Sequence, residues 1–366
     1  MEPLDGLRGV AAFAVGLWHL SLLLTGWGAS VYAVASFTPL AAFWRGDSAV
    51  LLFFILSGFV LAIPFLKGRV SPSAFLVKRV LRIYPVYWAS CAFALLVLLF
   101  GVLAAHDMQV WSAKLVANYI LLYGPLNAGR VNPVIWSLVH EIRISVAFPV
   151  LIVVVKRVKS GWLMLGLAPV ALLSLMGLSH DGLTAVTAAG TIWYGYFFLL
   201  GAVLAKERER LVTWVKTWNT RVAIGVGVGC LVAYGVPPTN DNLAVWQNAL
   251  GFGLIALGAS GLMVLALARI RMGEALKLRG VLFMGRISYG YYLVHFPIIL
   301  LVLRYGVGHV SLAWLAVVVV VGSIGLAWGL NVAVERPAIK LGRAWAGTLE
   351  RWWVKRGAVE AASTKA

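Results

Sequence analysis

Ten long apolar stretches follow one another along the chain, close to residues 6–26, 48–66, 85–105, 134–155, 162–179, 184–205, 221–237, 247–268, 281–303 and 311–333. A helix that crosses the hydrocarbon of a bilayer needs about 20 predominantly apolar residues, so each stretch is long enough to span. The pattern predicts an all-α, polytopic integral membrane protein with about ten transmembrane helices. The longest connection, residues 106–133, carries Trp111, Tyr119 and Tyr123 at about helical intervals, which predicts an amphipathic segment lying on the outer surface. No internal repeat interrupts the series, so the inverted-repeat plan of many transporters has no support.

Composition sharpens this picture. Hydrophobic residues make up 61% of the 366 and charged residues 12%, well above the roughly 45–50% apolar content of soluble domains. The two cysteines, Cys91 and Cys230, both lie in apolar runs, and neither a disulfide framework nor a zinc pattern can be built from them. No metal site is expected.

A net charge of +18 raises the question of a nucleic-acid partner, and the placement of the charges answers it. Connections on the side of the C-terminus hold Lys67, Arg69, Lys78, Arg79, Arg82, Lys156, Arg157, Lys159, Lys206, Arg208, Arg210, Lys216, Arg221, Arg269, Arg271, Lys277 and Arg279. The tail adds Arg336, Lys340, Arg343, Arg351, Lys355, Arg356 and Lys365. The other side has Arg45, Lys114, Arg130 and Arg304. By the positive-inside rule both termini are cytoplasmic and the number of spans is even. The basicity is a topology signal, the expected partner is the lipid bilayer of the cell (plasma or inner) membrane, and no nucleic acid is expected. We divide the chain into a membrane domain, 1–340, and a basic cytoplasmic tail, 341–366, whose Trp345, Trp352 and Trp353 suit an interfacial anchor.

Four stretches break the apolar pattern with groups that are costly in lipid. In the first span, Arg8 and His19 are eleven residues apart, roughly three helical turns, so both project from nearly one face about 16 Å apart. Arg8 taken alone is also what a snorkelling arginine looks like. His19 reads as a base or nucleophile, since imidazole titrates near neutrality, or as a structural cap of a polar network. In the second stretch, Ser57-Gly58 is followed by Arg79 and Arg82, at i and i+3 on a short helix that Pro85 is expected to end. Two guanidiniums on one face suit a phosphate or pyrophosphate, and ordinary positive-inside charge explains them equally well. The third stretch places Ser137, Glu141 and Ser145 four residues apart, with His140 and Arg143 beside the acid. Such a helix must face protein or a water-filled cavity. In the fourth, Ser288, Tyr292 and His295 share a face, as do Tyr291 and His295, with Pro297 able to kink the helix.

These stretches together resemble the membrane acyltransferase 3 family, integral-membrane enzymes that O-acylate cell-surface glycans and some secreted small molecules. "LDGLRGVAAFAVGLWHL" looks like its opening Arg-x10-His motif, "FFILSGF" its FFxxSGF segment and "KRVLRIYP" its Arg-x-x-Arg-I-x-P segment. "WSLVHE" is similar to its WSLxxE motif, "ISYGYYLVHFP" to its SYxxYLxHxP segment and "VERP" to its closing ERP. The chain departs from the family where many members carry an aspartate before the Phe-Phe pair, since Leu51 stands there and Asp47 lies slightly upstream. Members that modify some lipopolysaccharides carry a further esterase-like domain, and here the membrane domain is expected to handle the acceptor alone or with a separate protein.

The resemblance implies an O-acyltransferase that moves an acyl group, with acetyl expected, from acyl-CoA on the cytoplasmic side to a hydroxyl of a carbohydrate or glycosylated small molecule. Acetyl-CoA is then a donor substrate, and no permanently bound cofactor is expected. His19 and Glu141 are the expected catalytic residues. Arg8, Ser57, Arg79, Arg82, Trp136, Ser137, Arg143, Tyr292 and His295 are the expected contacts to donor or acceptor. The rival from another class is a transporter or flippase that uses Glu141, Arg143 and His295 as a proton relay. The asymmetry of basic residues makes its own prediction: reporter fusions at residue 125 and at the C-terminus should report opposite sides of the membrane, and signals from the same side would refute the topology.

Overall fold

A computed structural model describes residues 2–23, 39–68, 70–97, 132–235, 242–268 and 271–363. Among them there are helices and turns and no strand, as expected where backbone polar groups find no water and must be satisfied within each segment. The helices are α1 (Glu2–Leu23), α2 (Gly46–Leu66), α3 (Pro72–Val97), α4 (Trp136–Arg157), α5 (Ser160–Asp181) and α6 (Ala188–Lys216). They continue with α7 (Thr220–Tyr234), α8 (Val245–Leu267), α9 (Arg271–Ala275), α10 (Arg279–Gly306), α11 (Leu312–Leu330) and α12 (Arg336–Ser363). Among the described residues eight helical stretches are long and apolar enough to cross a membrane, while α7 is a shorter apolar helix. The described part of each of the ten predicted stretches falls largely on a helix of this series, although α1 and α7 are not among the eight. The predicted amphipathic segment with Trp111, Tyr119 and Tyr123 lies outside the described residues.

The bundle turns apolar side chains outward as well as inward. Val150 is 71% exposed, Trp162 69% and Trp314 66%, a surface that suits lipid and would aggregate in water. Helix starts follow the expected chemistry. The side chains of Thr187, Asn219 and Ser311 accept from the backbone N–H groups of Gly190, Val222 and Trp314, at the starts of α6, α7 and α11. Asn132 does more than cap: its Oδ1 accepts from Val134 N, and its Nδ2 donates to the Leu293 carbonyl at 2.7 Å, tying the entry of α4 to the middle of α10.

Without a hydrophobic force between helices in lipid, close packing decides which ones meet, and small residues permit it. At the crossing of α2 and α6, a Cβ on Gly58 would overlap the Phe198 carbonyl, and one on Gly201 would overlap the Ile55 carbonyl. The crossing of α1 and α10 is built the same way. A Cβ on Gly9 would sit 2.5 Å from Gly285 N, and one on Gly285 would overlap the Asp5 carbonyl. From that crossing the two helices run in parallel, with Gly16 against the Tyr291 ring and His19 against His295.

Two expectations need correction or extension. Pro85 does not end a short helix, because α3 runs through it from Pro72 to Val97. Membrane helices tolerate proline, and close to Pro85 Tyr289 of α10 donates its hydroxyl to the Ile83 carbonyl at 2.8 Å, tying α3 to α10. Residue 340, the predicted end of the membrane domain, falls inside α12, which packs against α3 through Gly342 and Leu81 and through an ion pair between Lys78 and Glu350 at 3.1 Å.

The glycine crossings yield a stability test. Gly58→Leu and Gly285→Leu should each destabilise the detergent-purified protein by more than the roughly 1–3 kcal/mol of ordinary overpacking, read as a lowered thermal midpoint, because backbone atoms stand in the way. Gly166→Leu and Gly225→Leu, which have open space at their Cβ positions, should change it little.

Candidate active site

His19 and His295 lie ten residues beyond Gly9 and Gly285 respectively. Equal lengths of parallel helix from one contact bring both imidazoles to one level, about 15 Å above it. Their rings meet with His19 Nδ1 and His295 Nε2 3.1 Å apart. His19 Nδ1 is also 3.1 Å from the Val15 carbonyl, and His295 Nδ1 is 3.1 Å from the Tyr291 carbonyl. A carbonyl only accepts, so His295 carries its proton on Nδ1 and its Nε2 is an acceptor. His19 must then carry its proton on Nδ1, shared between Val15 O and His295 Nε2. One neutral assignment satisfies every contact, and it leaves His19 Nε2 with a free lone pair, the form a general base needs. Tyr291 stacks on the His295 ring at 12°, and Phe296 meets His19 edge-on, so the pair is held by rings on several sides.

Next to this pair lies a cavity of about 500 Å³ between α1, α2, α3, α4 and α10. Its lining changes character with depth. Asp5, Arg8, Lys78 and Arg82, with the apolar Leu4, Val60, Leu61, Pro64, Val70 and Phe75, line the end nearest the starts of α1 and α3; Ser57, Arg79 and Glu141 line the middle; Val50, Phe53, Phe54, Leu138, Ser137 and Tyr292 line the far end, which has no charged side chain. On α2 the lining runs from Pro64 to Val50, about 21 Å of helix.

The cations of this cavity are not equivalent. Arg79, 8% exposed, donates from Nη2 to Glu141 Oε1 at 2.7 Å and from Nε to Ser145 Oγ at 3.2 Å. Ser57 Oγ donates to the same Glu141 oxygen at 2.9 Å. Arg8 pairs with Asp5 at 2.9 Å and reaches the Gly285 carbonyl, and Lys78 pairs with Glu350. Arg82 lines the cavity with no ion pair or hydrogen bond drawn to its guanidinium among the described residues. Behind it, the five-residue π turn Asn331–Glu335 buries the Glu335 carboxylate, which accepts from Asn331 Nδ2 at 2.8 Å and acts on Arg82 through space.

The structure therefore brings Arg8, Ser57, Arg79, Arg82, Ser137, Glu141 and Tyr292 to one cavity and His19 to His295 beside it. Four expectations change. Glu141, expected beside His19 as a catalytic residue, bonds Arg79 and Ser57 and no imidazole among the described residues. Arg79 is committed to that carboxylate, which removes it from the simplest role as a phosphate anchor. Arg143 points away, donating to the Val186 and Thr187 carbonyls and to Thr191 Oγ1, where His140 also bonds. Trp136 packs with His140 and Tyr194 outside the cavity. Glu141, Arg143 and His295 thus have three separate sets of partners, which removes the observation behind a proton relay. Sequence reasoning missed Asp5, Lys78, Tyr289 and the apolar wall. Asp5 stands one turn before Arg8 and Lys78 directly before Arg79, but apolar wall residues look like any other lipid-span residues.

A family model described as an acyltransferase domain matches residues 2–332. Nodulation protein 10 of Rhizobium leguminosarum bv. viciae is 26% identical over 336 residues, covering 83% of this chain and 86% of that protein. Acyltransferase MdmB of Streptomyces mycarofaciens is 26% identical over 385 residues, covering 93% of this chain and 92% of that protein. No solved structure matches. With the family match running across every helix that lines the cavity and carries the histidine pair, the chain belongs to this acyltransferase family and is a membrane-embedded O-acyltransferase.

Proposed function

We propose that the protein transfers an acyl group from acyl-CoA, entering from the cytoplasmic side, to a hydroxyl of a carbohydrate acceptor at the cell membrane. One observation carries this: in a cavity lined by apolar residues along its length, the cations Arg8, Lys78 and Arg82 gather at the cytoplasmic end and no charged side chain lines the far end, which suits a donor that presents its phosphates first and its acyl group last. Arg82, with Arg8 and Lys78 exchanging their carboxylate partners for phosphate oxygens, supplies charge-assisted contacts to the head of the donor. Arg79 and Glu141 neutralise one another and hold α2, α3 and α4 in register.

In this reading His19 Nε2 takes the proton of the acceptor hydroxyl as its oxygen bonds to the thioester carbonyl carbon. The tetrahedral intermediate collapses, the carbon–sulfur bond breaks, and the departing thiolate takes the proton back from His19. His295 accepts the Nδ1 proton of His19 and so keeps its other nitrogen facing the acceptor, a positioning role like that of the acid in a hydrolase triad.

His19→Ala should lower transfer about 10²–10⁴-fold, read as O-acyl content of surface glycans in a deletion strain carrying equal amounts of parent or variant protein. His295→Leu should cost roughly ten- to a hundredfold, as when the partner that orients a working imidazole is lost. His295→Gln, whose carbonyl can accept the same proton, should recover most of it, and equal losses for Leu and Gln would refute the positioning role.

The arginines should separate in kind. Arg82→Ala should raise the apparent Michaelis constant for acyl-CoA roughly ten- to a hundredfold with turnover less affected, the loss of about 1.5–3 kcal/mol of ground-state binding. Arg79→Ala should instead destabilise the protein by about 3 kcal/mol, because it strands the Glu141 carboxylate, and Arg79→Ala with Glu141→Gln should restore part of that stability. Thermal midpoints and donor titrations of the three variants check both statements.

A further inference from the structure

The far end of the cavity is apolar in a way that an acetyl group does not explain. Beyond Ser57 the lining on α2 runs to Phe54, Phe53 and Val50, joined by Leu138 of α4 and the Tyr292 ring of α10. Seven residues separate Ser57 from Val50, about 10 Å of helix. Val50 is 7% exposed, Phe54 3% and Leu138 3%, so these walls are rigidly packed from behind, with Phe54 stacked on Tyr194 at 4.9 Å. The hydroxyls at this end are already engaged: Tyr292 Oη lies 2.7 Å from Ser137 Oγ and donates to the Val134 carbonyl at 2.9 Å. A sugar placed here would lose its hydrogen bonds to water and find few replacements. An acetyl methyl would fill only a small part of the space.

We propose that this end is a chamber for the acyl chain of the donor and that it selects acyl groups longer than acetyl. The inference rests on the acyl-CoA reading given above. The rings of Phe53 and Tyr292, 6.0 Å between centroids, form the partition between the chamber and the histidines, with Tyr292 in turn 6.0 Å from His295. A thioester whose chain lies against Val50, Phe54 and Leu138 has its carbonyl at this partition, one helical turn from His295. Chain length is read by the depth from the partition to Val50. Phe53 and Tyr292 position the thioester, while Val50 and Leu138 set the limit.

Calorimetric titration of the full-length protein in detergent with CoA, acetyl-CoA and butyryl-CoA tests this without knowledge of the acceptor. Each methylene moved from water into the chamber is worth about 0.8 kcal/mol, roughly fourfold in affinity, so butyryl-CoA should bind about tenfold or more tighter than acetyl-CoA. Val50→Phe and Leu138→Phe fill the chamber from two different helices, and each should pull the butyryl-to-acetyl ratio toward one. Either variant suffices if the other does not fold, as judged by its thermal midpoint. Equal affinities of the parent for acetyl-CoA and butyryl-CoA, with CoA itself bound, overturn the chamber and leave the acyl-CoA reading standing, as does a ratio unchanged in a folded variant. Failure of the parent to bind CoA overturns both.

Discussion

The contact between α1 and α10 at Gly9 and Gly285 governs the rest of the site. Two parallel helices that touch backbone to backbone, as a Cβ at either glycine would not allow, keep the same separation and phase over the next few turns. The two histidines, each ten residues further on, therefore meet at hydrogen-bonding distance without any loop to place them. The same contact puts the Gly285 carbonyl within reach of Arg8, so the cationic end of the cavity and the imidazole pair are set by one crossing. In lipid, where apolar side chains gain little by leaving their solvent, such close approach through small residues is what orders a bundle.

Buried charge is handled by pairing. Arg79 and Glu141 form the most deeply placed ion pair among the described residues, with Ser57 on the same Glu141 oxygen and Ser145 on Arg79 Nε, so each member of the pair has a second polar partner. An isolated guanidinium at that depth would cost several kcal/mol. Towards the mouth the pairs loosen: Arg8 and Asp5 have side chains 28% and 44% exposed, and Lys78 and Glu350 39% and 34%. Pairs in that setting contribute little stability and exchange readily for a stronger anion. The gradient from fixed to exchangeable pairs follows the gradient of the cavity from interior to mouth.

The tail helix enters the same scheme. Residues after 335 continue as α12 rather than trailing away, and Glu350 reaches back to Lys78 at the cavity. Ahead of it, the π turn Asn331–Glu335 turns a carboxylate inward beneath Arg82, with Arg336 bonded to Asn331 Oδ1. Single π turns inside helices recur at functional sites because the extra residue redirects side chains that an unbroken helix would point elsewhere.

Much of this protein was determined by sequence alone. Length and apolarity of the stretches settle an all-α membrane bundle, because a bilayer admits so few alternatives, and spacing within one helix puts Arg8 and His19 on a shared face. The costliness of ionisable groups in lipid marked out Arg79, Glu141 and His295 as residues with partners. Only the tertiary structure decided who those partners are. The i, i+3 relation of Arg79 and Arg82 predicts one shared role, yet α4 presents Glu141 to Arg79 and leaves Arg82 facing the cavity. Nearness in sequence grouped Arg143 with Glu141, but two residues along a helix is about 200°, which turns Arg143 towards Thr191 on the other side. The helix through Pro85 and the chamber walled by Val50, Phe54 and Leu138 were equally out of reach. Whether a proline ends a membrane helix or is carried through it depends on the helices packed around it, and apolar residues that face a cavity have the same composition as those that face lipid. Periodicity fixes the face on which a residue lies; what stands opposite that face is a property of the packing of helices far apart in sequence.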